Sequence, residues 1–204
     1  MLVFKREQID KVSSILNNNG IVAFPTETVY GLGVKIDSLE NYEKLVKVKE
    51  RSPDKPFTIM FSNFKQIEKY IADDELVKEI ISKCMPGPLT IIVKAKIGVS
   101  KYLDHGTGFI GLRMPDDYFV LDLIDRVGVP LFVPSCNKAN QPPCNNVDEI
   151  ISVFGKEIDC VVEGNCEGGV PSTIIKIDNE ELILIRQGKI SLNEIKEKIK
   201  WKLL

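Results

Sequence analysis

The stretch IVAFPTETVYGLG, residues 21–33, is the most informative segment for both the fold and the site. Its first four residues form a short apolar run that Pro25 ends, which predicts a buried strand. Thr26, Glu27 and Thr28 then follow, and functional side chains are often carried by loops at strand ends. The alternative is a tight connection between strands with ordinary turn residues, and the glycines of 26–33 predict a turn there. The segment alone leaves both interpretations open.

Helices and strands alternate along the rest of the chain. Apolar residues at helical spacing predict a helix over 7–19 that Gly20 ends, and another over 38–49 with Ser38 as N-cap. Strict βαβ repetition and the glycine fingerprint of a Rossmann fold are missing. The pattern predicts a single α/β (α+β) domain over 1–190, a twisted mixed sheet flanked by helices, with a C-terminal helix over 191–204 packing on it. The other strand-like runs are 57–61, 89–93, 109–114, 131–134, 160–163, 172–177 and 181–186, and the other helical patterns are 64–71, 75–84, 119–127 and 147–154.

The composition excludes several classes of protein. The 204 residues carry a formal net charge of -2, so neither disorder nor a dedicated nucleic-acid binder is indicated, and an anion site must be local. The five cysteines form no CxxC pair and His105 is the single histidine, so we expect no protein-bound metal. A signal peptide and a long apolar span are not found, which predicts a cytoplasmic protein without a membrane segment.

Basic residues concentrate near the end of the second predicted helix. Five of them lie between Lys44 and Lys55, including Lys49 and Arg51, and Pro53 and Pro56 stiffen the loop. These cations can clamp a phosphate or carboxylate. They can equally form a solvated face that matches the helix dipole.

Two further strands carry polar side chains that need partners. Arg113 lies in an apolar run, so it requires an anion, either a structural Asp or a substrate carboxylate. Ser135 and Asn137 follow another apolar run at period-two spacing and can contact one ligand together. With His105 as the single histidine, Ser135 has no Asp-His pair to make it a nucleophile.

The C-terminal strands repeat this pattern of polar residues at strand edges. Ser172 and Thr173 begin one apolar run and Arg186 ends the next, whereas the segment 85–90, MPGPLT, is explained by turn geometry. The sequence therefore predicts an open, concave, cationic pocket. Its proposed members are Lys49, Arg51, Arg113, Ser135, Asn137 and Arg186.

Seven motifs in order resemble the YrdC-like family of L-threonylcarbamoyladenylate synthases. They are FPTETVYGLG, KxR (Lys49, Arg51), PGPLTIIV, LRMP, PSxN (Ser135, Asn137), ST (Ser172, Thr173) and LIRQG, and the resemblance covers roughly residues 8–190. It implies a YrdC-like catalytic domain and a nucleotidyltransferase. The implied reaction converts L-threonine, bicarbonate and ATP into threonylcarbamoyl-AMP and pyrophosphate, for tRNA modification next to the anticodon.

The resemblance also implies roles for individual residues. Lys49 and Arg51 are the implied catalytic residues, because they offset charge on the nucleotide phosphates. Mg²⁺ is expected to arrive on the ATP phosphates, so no dedicated metal site is required. The implied ATP-binding residues are Lys49, Arg51, Lys55, Ser135, Asn137 and Arg186, and the implied threonine-binding residues are Thr28, Arg113, Ser172 and Thr173.

Some positions depart from the family pattern. The loop after Asn137 lacks the usual serine and glycine, Phe109 replaces a frequent threonine, and Met60 stands where histidine or an aliphatic residue is common. The KxR and SxN pairs are intact, so the resemblance still implies the activity. We expect Lys49→Ala or Arg51→Ala to abolish pyrophosphate release and to leave the fold intact.

Two other functions compete with this interpretation. An RNA-binding module without nucleotide turnover could use the same cationic concavity to hold a phosphate backbone. A carbamoyl-adenylating domain of the hydrogenase-maturation type shares the implied fold, although such domains normally belong to much longer chains. Downstream tRNA-modification proteins are the expected partners, and weak RNA binding is compatible with that role.

Overall fold

The computed structural model describes residues 1–52, 55–166 and 170–200. Pro53 and Asp54 of the basic segment therefore lie outside the described residues, as do the last four residues of the predicted C-terminal helix, 201–204. The strands in the described part are β1 (Leu2–Phe4), β2 (Val22–Phe24), β3 (Gly31–Lys35), β4 (Thr58–Met60), β5 (Leu89–Lys94), β6 (Phe109–Arg113), β7 (Leu131–Phe132), β8 (Cys160–Val162), β9 (Thr173–Asp178) and β10 (Glu181–Arg186). The helices are α1 (Ile9–Asn17), α2 (Leu39–Lys49), α3 (Glu75–Cys84), α4 (Lys101–Asp104), α5 (Tyr118–Val127), α6 (Val147–Phe154) and α7 (Leu192–Lys198).

The ten strands of the described part form one mixed sheet, in the order β1-β8-β2-β3-β7-β4-β6-β5-β9-β10. The pairs β1–β8, β2–β8, β4–β6 and β5–β9 are parallel, and the other neighbours are antiparallel. The predicted α/β class with a mixed sheet is confirmed. Because parallel neighbours need crossover connections, helices cover both faces.

The apolar residues form two cores, one on each face of the sheet. On one face, α1 and α5 pack together and bury Val12, Leu16, Val120 and Leu123 against the half of the sheet that contains β2 and β8. On the other face, α2, α3, α6 and α7 cover the larger core. Helices α1 and α5 leave the β4-β6-β5-β9 half of their face uncovered, and this uncovered half forms the floor of a cavity.

The predicted helix over 64–71 is wrong. The structure has only one turn of 3-10 helix, Phe64–Gln66. The backbone groups that would continue it are used elsewhere, because Ala72 N donates to Lys94 O at 3.0 Å and Lys96 N donates to Tyr70 O at 2.9 Å. Pairing with the chain after β5 therefore replaces the helical hydrogen bonds.

Strand β3 was interpreted from the sequence as a glycine-containing turn. The glycines instead serve close packing within the sheet. A Cβ at Gly33 would lie 2.5 Å from a ring carbon of Phe24, and one at Gly31 would lie 2.4 Å from Val133. Strand β1 and helix α4 were also not predicted, because they are only three and four residues long.

Helix α7 begins with a capping box, in which Ser191 accepts from Glu194 N and the Glu194 side chain accepts from Ser191 N. It packs against α3 through the buried Ile195. No helix in the described ranges combines the length and the apolar character needed to span a bilayer.

Candidate functional site

A cavity of about 500 Å³ lies on the uncovered half of the sheet. Its floor follows from strand alternation, since every second side chain of a strand points to the same face. Register places Thr58 of β4 and Ile92 of β5 on either side of Gly111 of β6, and Met60 beside Arg113. The opposite face of the same strands, with Ile59, Leu112 and Ile91, belongs to the core.

The cavity is cationic. Arg51, Arg113 and Arg186 line it, and no Asp or Glu is among the described residues of its wall. Burial lowers the pKa of Arg51 and of Arg186, and the nearby Arg113 lowers that of Arg186 further. Guanidinium groups stay protonated in proteins despite such shifts. Three positive charges therefore meet in one concave space of a chain whose net charge is -2.

Arg113 is buried and held by the loop that follows β2. Its Nη2 donates to Glu27 Oε1 at 2.6 Å and to Thr28 Oγ1 at 2.9 Å. The sequence left a structural Asp and a substrate carboxylate open as its anion, and the structural partner is a glutamate, Glu27. Among the residues that the structure describes, neither Arg113 Nε nor Glu27 Oε2 has a hydrogen-bond partner. Arg113 thus lines the cavity, and its Nε–H is buried without an acceptor among the described residues.

Glu27 was absent from the site residues predicted from the sequence. It is 8% exposed, and its ion pair with Arg113 is the most buried one of the described residues. The sequence did offer one signal for Glu27. A buried arginine requires an anion, and Glu27 is the carboxylate in the segment 21–33.

Lys49 does not line the cavity. It is 2% exposed, and its amine donates to Ser135 O at 2.5 Å, to Asn137 O at 2.7 Å and to Asn137 Oδ1 at 3.1 Å. Burial lowers the pKa of Lys49 to about 8. Three acceptors for three ammonium hydrogens make Lys49 a brace for the 135–137 loop in this structure.

Arg51 is separated from Lys49 by one residue but points into the cavity. Glu50 ends α2 in a left-handed conformation with φ 50°, which changes the direction of the chain after the helix. The guanidinium then lies over the Phe57 ring, 5.3 Å from its centroid, and Nη2 donates to Pro56 O at 3.2 Å. Arg51 Nε is buried and has no hydrogen-bond partner in the described part of the chain.

The loop after β7 presents Ser135 and Asn137 to the cavity. Ser135 Oγ donates to Asn137 Oδ1 at 2.6 Å, while Asn137 Nδ2 donates to Lys138 O and Gln141 O, each at 2.8 Å. The loop is also tied to the segment before β3, because Cys136 N donates to Tyr30 O at 2.7 Å. The single histidine, His105, packs on Tyr42 instead.

On the opposite wall, Ser172 joins the cavity to β9 and β10. Arg186 donates to Ser172 O from Nη2 at 2.8 Å and from Nε at 3.2 Å, and the hydroxyls of Ser172 and Thr90 are 2.8 Å apart. Thr173 faces away from the cavity. Its hydroxyl donates to Ile190 O and accepts from Gly188 N at 3.0 Å.

The structure therefore divides the predicted site residues into two groups. Those that line the cavity are Arg51, Arg113, Ser135, Asn137, Ser172 and Arg186, and those that do not are Thr28, Lys49, Lys55 and Thr173. Lys55 is exposed on the neighbouring loop. Lining residues that were not predicted include Thr26, Tyr30, Thr58, Thr90 and Thr107. Period-two alternation in FTIMF and LTIIV could have identified Thr58 and Thr90.

No metal site is formed by protein groups in the described ranges, where no three His, Cys, Asp or Glu side chains are grouped to hold an ion. The cysteines are free thiols.

Comparisons with known proteins find relatives over most of this chain. The family model for Sua5, YciO and YrdC proteins, described as telomere recombination, matches residues 14–188. The threonylcarbamoyl-AMP synthase of Shigella flexneri is 34% identical over 85% of this chain and 92% of its own length. That of Bacillus subtilis is 31% identical over 92% of this chain and 55% of its own length.

A solved structure of Sua5 from Pyrococcus abyssi, complexed with L-threonine, superimposes with a TM-score of 0.91 at 27% identity. The match covers 98% of this chain and 61% of that one. This chain thus spans nearly all of the Shigella relative, but little more than half of the Bacillus and Pyrococcus proteins.

Proposed function

Because the chain belongs to the Sua5, YciO and YrdC family, we propose that it makes L-threonylcarbamoyl-AMP and pyrophosphate from L-threonine, bicarbonate and ATP. The observation that carries the proposal is the cavity in which Arg51, Arg113 and Arg186 meet several hydroxyls without a carboxylate in the described wall. Such a site suits substrates that each carry a negatively charged group at neutral pH, namely the carboxylate of threonine, bicarbonate and the triphosphate of ATP.

Arg113 and Ser172 form the amino-acid end in this proposal. The guanidinium of Arg113 binds the threonine carboxylate, while Glu27 and Thr28 keep it in place. The hydroxyl of Ser172 meets the threonine hydroxyl. A site built to bond a hydroxyl discriminates strongly against analogues that lack it. Thr173 contributes by fixing the backbone beside Ser172.

The chemistry requires no protein nucleophile. The amine of threonine attacks bicarbonate, water leaves, and an N-carboxylate forms. One oxygen of that carboxylate attacks the α-phosphorus of ATP and pyrophosphate leaves. The protein contributes positioning and electrostatic stabilisation of the phosphate charge, which are the main sources of rate in phosphoryl-type transfers.

Arg51 and Arg186 form the nucleotide end, with Ser135 and Asn137 between them. Lys55 reaches the phosphates from the exposed loop, and Lys49 acts through the 135–137 loop that it braces. Mg²⁺ enters with ATP as part of the substrate, because it usually keeps several waters and binds through phosphates.

The experiment is a pyrophosphate-release assay with ATP, labelled bicarbonate and each amino acid in turn. We expect release and a labelled adenylate with threonine. Arg51→Ala should lower the rate by about 100-fold or more, as removal of one oxyanion-stabilising donor does. Arg126→Ala is the matched control, because Arg126 is an exposed arginine on α5 paired with Asp10 and Asp122. Equal rates for the two variants would contradict the proposal.

The same samples separate the competing functions. Turnover with carbamoyl phosphate in place of threonine and bicarbonate would identify a carbamoyl-adenylating enzyme. RNA binding that weakens with salt, without ATP turnover, would identify an RNA-binding module. The named relatives favour the synthase, whose product would pass to tRNA-modification proteins. Free thiols fit a reducing, cytoplasmic location for these steps.

A further inference from the structure

Gly111 occupies the centre of the cavity floor. Along β6, side chains that face the cavity alternate as Phe109, Gly111 and Arg113, so the floor has an aromatic ring at one end and a cation at the other. Four residues of strand separate these ends by about 13 Å. Across the sheet, Gly111 lies in register with Thr58 on one side and Ile92 on the other.

The fold does not require glycine at this position. A Cβ on Gly111 would come no closer than 3.9 Å to Thr90 Cγ2, which is an ordinary van der Waals distance. Gly111 is also absent from the residues with positive φ. Gly31 differs, because its Cβ would clash with Val133 at 2.4 Å. Glycine weakens a strand interior, and it often marks a place where a ligand approaches the backbone.

We propose that the base and ribose of ATP lie against the backbone of Gly111, and that the lack of a side chain at this residue leaves the space that they occupy. The inference rests on the proposed function and adds a specificity-determining residue to it. The neighbours favour the nucleoside over the amino acid, because Ile92 beside Gly111 and Phe109 at the end away from Arg113 give apolar contacts. Arg113 supplies the charge for a carboxylate on the other side.

The test compares ligands that share the phosphates and differ in the nucleoside. Isothermal titration measures the affinity of Gly111→Val for ATP, for inorganic tripolyphosphate and for threonine. A valine fills the floor and suits a strand, so we expect ATP affinity to fall about 10-fold or more. Tripolyphosphate and threonine affinities should stay within about twofold of the wild type, because neither ligand needs the space above Gly111.

Two variants keep the result interpretable. Gly111→Ala adds one methyl group where the nearest atom is 3.9 Å away, so it should fold normally and show a smaller loss of ATP affinity. Ile110→Val changes the buried face of the same strand, outside the cavity, and should bind all three ligands as the wild type does.

The inference is overturned if Gly111→Val binds ATP like the wild type, or if it loses tripolyphosphate to the same extent. If Gly111→Val does not fold, unchanged ATP affinity of Gly111→Ala overturns the inference as well. The proposed function fails separately, through the absence of threonine-dependent pyrophosphate release by the wild type, since affinities are measured without turnover.

Discussion

At the scale of residues, two buried cations are stabilised in different ways, Arg113 in the cavity wall and Lys49 behind it. Arg113 is balanced by a carboxylate, Glu27, at 2.6 Å. Within the described ranges no carboxylate lies at hydrogen-bond distance from Lys49, which donates instead to carbonyl and amide oxygens of Ser135 and Asn137. A buried charge needs such partners to offset its lost hydration. The protonation state of Lys49 therefore affects the conformation of the 135–137 loop.

We predict that turnover falls as pH rises through about 8, the pKa of Lys49 in the folded protein. Loss of the proton leaves two N–H groups for three acceptors, so the 135–137 loop is held less firmly. A pH profile of kcat measures this at saturating threonine and ATP. In Lys49→Met the activity should be low at every pH and this alkaline limb absent. The charged or titratable groups that influence Lys49 are Arg51, Lys138, Cys136 and Cys144.

Unfolding does not explain such an alkaline loss. The pKa of Lys49 falls from its ordinary 10.5 to about 8 on folding, so the unfolded chain binds more protons between these pH values. The contribution of Lys49 to stability therefore rises with pH in that window while activity falls. A wild-type profile that stays flat from pH 7 to 9 would contradict the prediction.

For the other cation, Glu27→Ala should lower the free energy of unfolding by about 3–5 kcal/mol, because it leaves Arg113 buried without its anion. Glu79→Ala is the control. It removes an exposed partner of Lys83 and should cost within about 1 kcal/mol. Urea denaturation measures both. Similar losses for the two variants would show that the buried pair is no more important than a surface pair.

The identity of this pair illustrates what the sequence could predict about the site. Arg113 was predicted because an arginine in an apolar run is unusual, and its need for an anion followed from the cost of burial. The choice of Glu27 did not follow, since the two residues are 86 positions apart and meet only through the order of the strands. The inward orientation of Lys49 was equally hidden, because KxR shows spacing but not the turn at Glu50.

At the scale of elements, local signals were reliable where hydrogen bonds stay within the element. Helix α2 begins at the predicted Ser38 cap, and α3 and α6 have the predicted bounds. The failures are the segment 64–71, whose later backbone groups pair with the chain after β5, and β3, whose glycines pack against Phe24 and Val133. Tertiary contacts decided both, and these contacts have no local pattern.

The cap of α2 provides a test at this scale. Ser38 Oγ accepts from Asn41 N at 3.2 Å, so Ser38→Ala should lower the free energy of unfolding by about 1 kcal/mol. The helix also positions Lys49 in its last turn, but packing of Leu45 and Val48 keeps it in place. Threonine and ATP KM values should therefore be unchanged. Ser14→Ala, within α1 and exposed, is the control and should cost little in chemical denaturation. Equal costs would exclude a capping role.

At the scale of the whole molecule, the site results from incomplete coverage of one sheet face. Helices α1 and α5 bury half of that face, and the exposed half gathers arginines from β6, β10 and the loop after α2. Sequence patterns identified most of these strands, but the neighbours β7–β4, β4–β6 and β5–β9 are far apart in sequence, and no local pattern specifies their pairing. The motifs predicted the cations, and the topology decided which of them share a cavity.

Gathering three arginines in one cavity should make stability depend on the anionic ligand. ATP at 100 times its Kd should raise the free energy of unfolding by about 2.7 kcal/mol, because it binds the folded state alone. Arg186→Ala removes a charged donor worth about 1.5–3 kcal/mol. At the same ATP concentration the gain should then fall below about 1.5 kcal/mol.

Arg126→Ala changes the net charge by the same amount, yet it lies outside the cavity and should retain the full gain. Urea denaturation with and without ATP measures all three proteins. If Arg186→Ala and Arg126→Ala kept the same ATP-dependent gain, overall charge or weak surface binding would account for the stabilisation. A loss confined to Arg186→Ala would locate the coupling between folding and nucleotide binding in the cavity, because the two variants differ only in where the positive charge was removed.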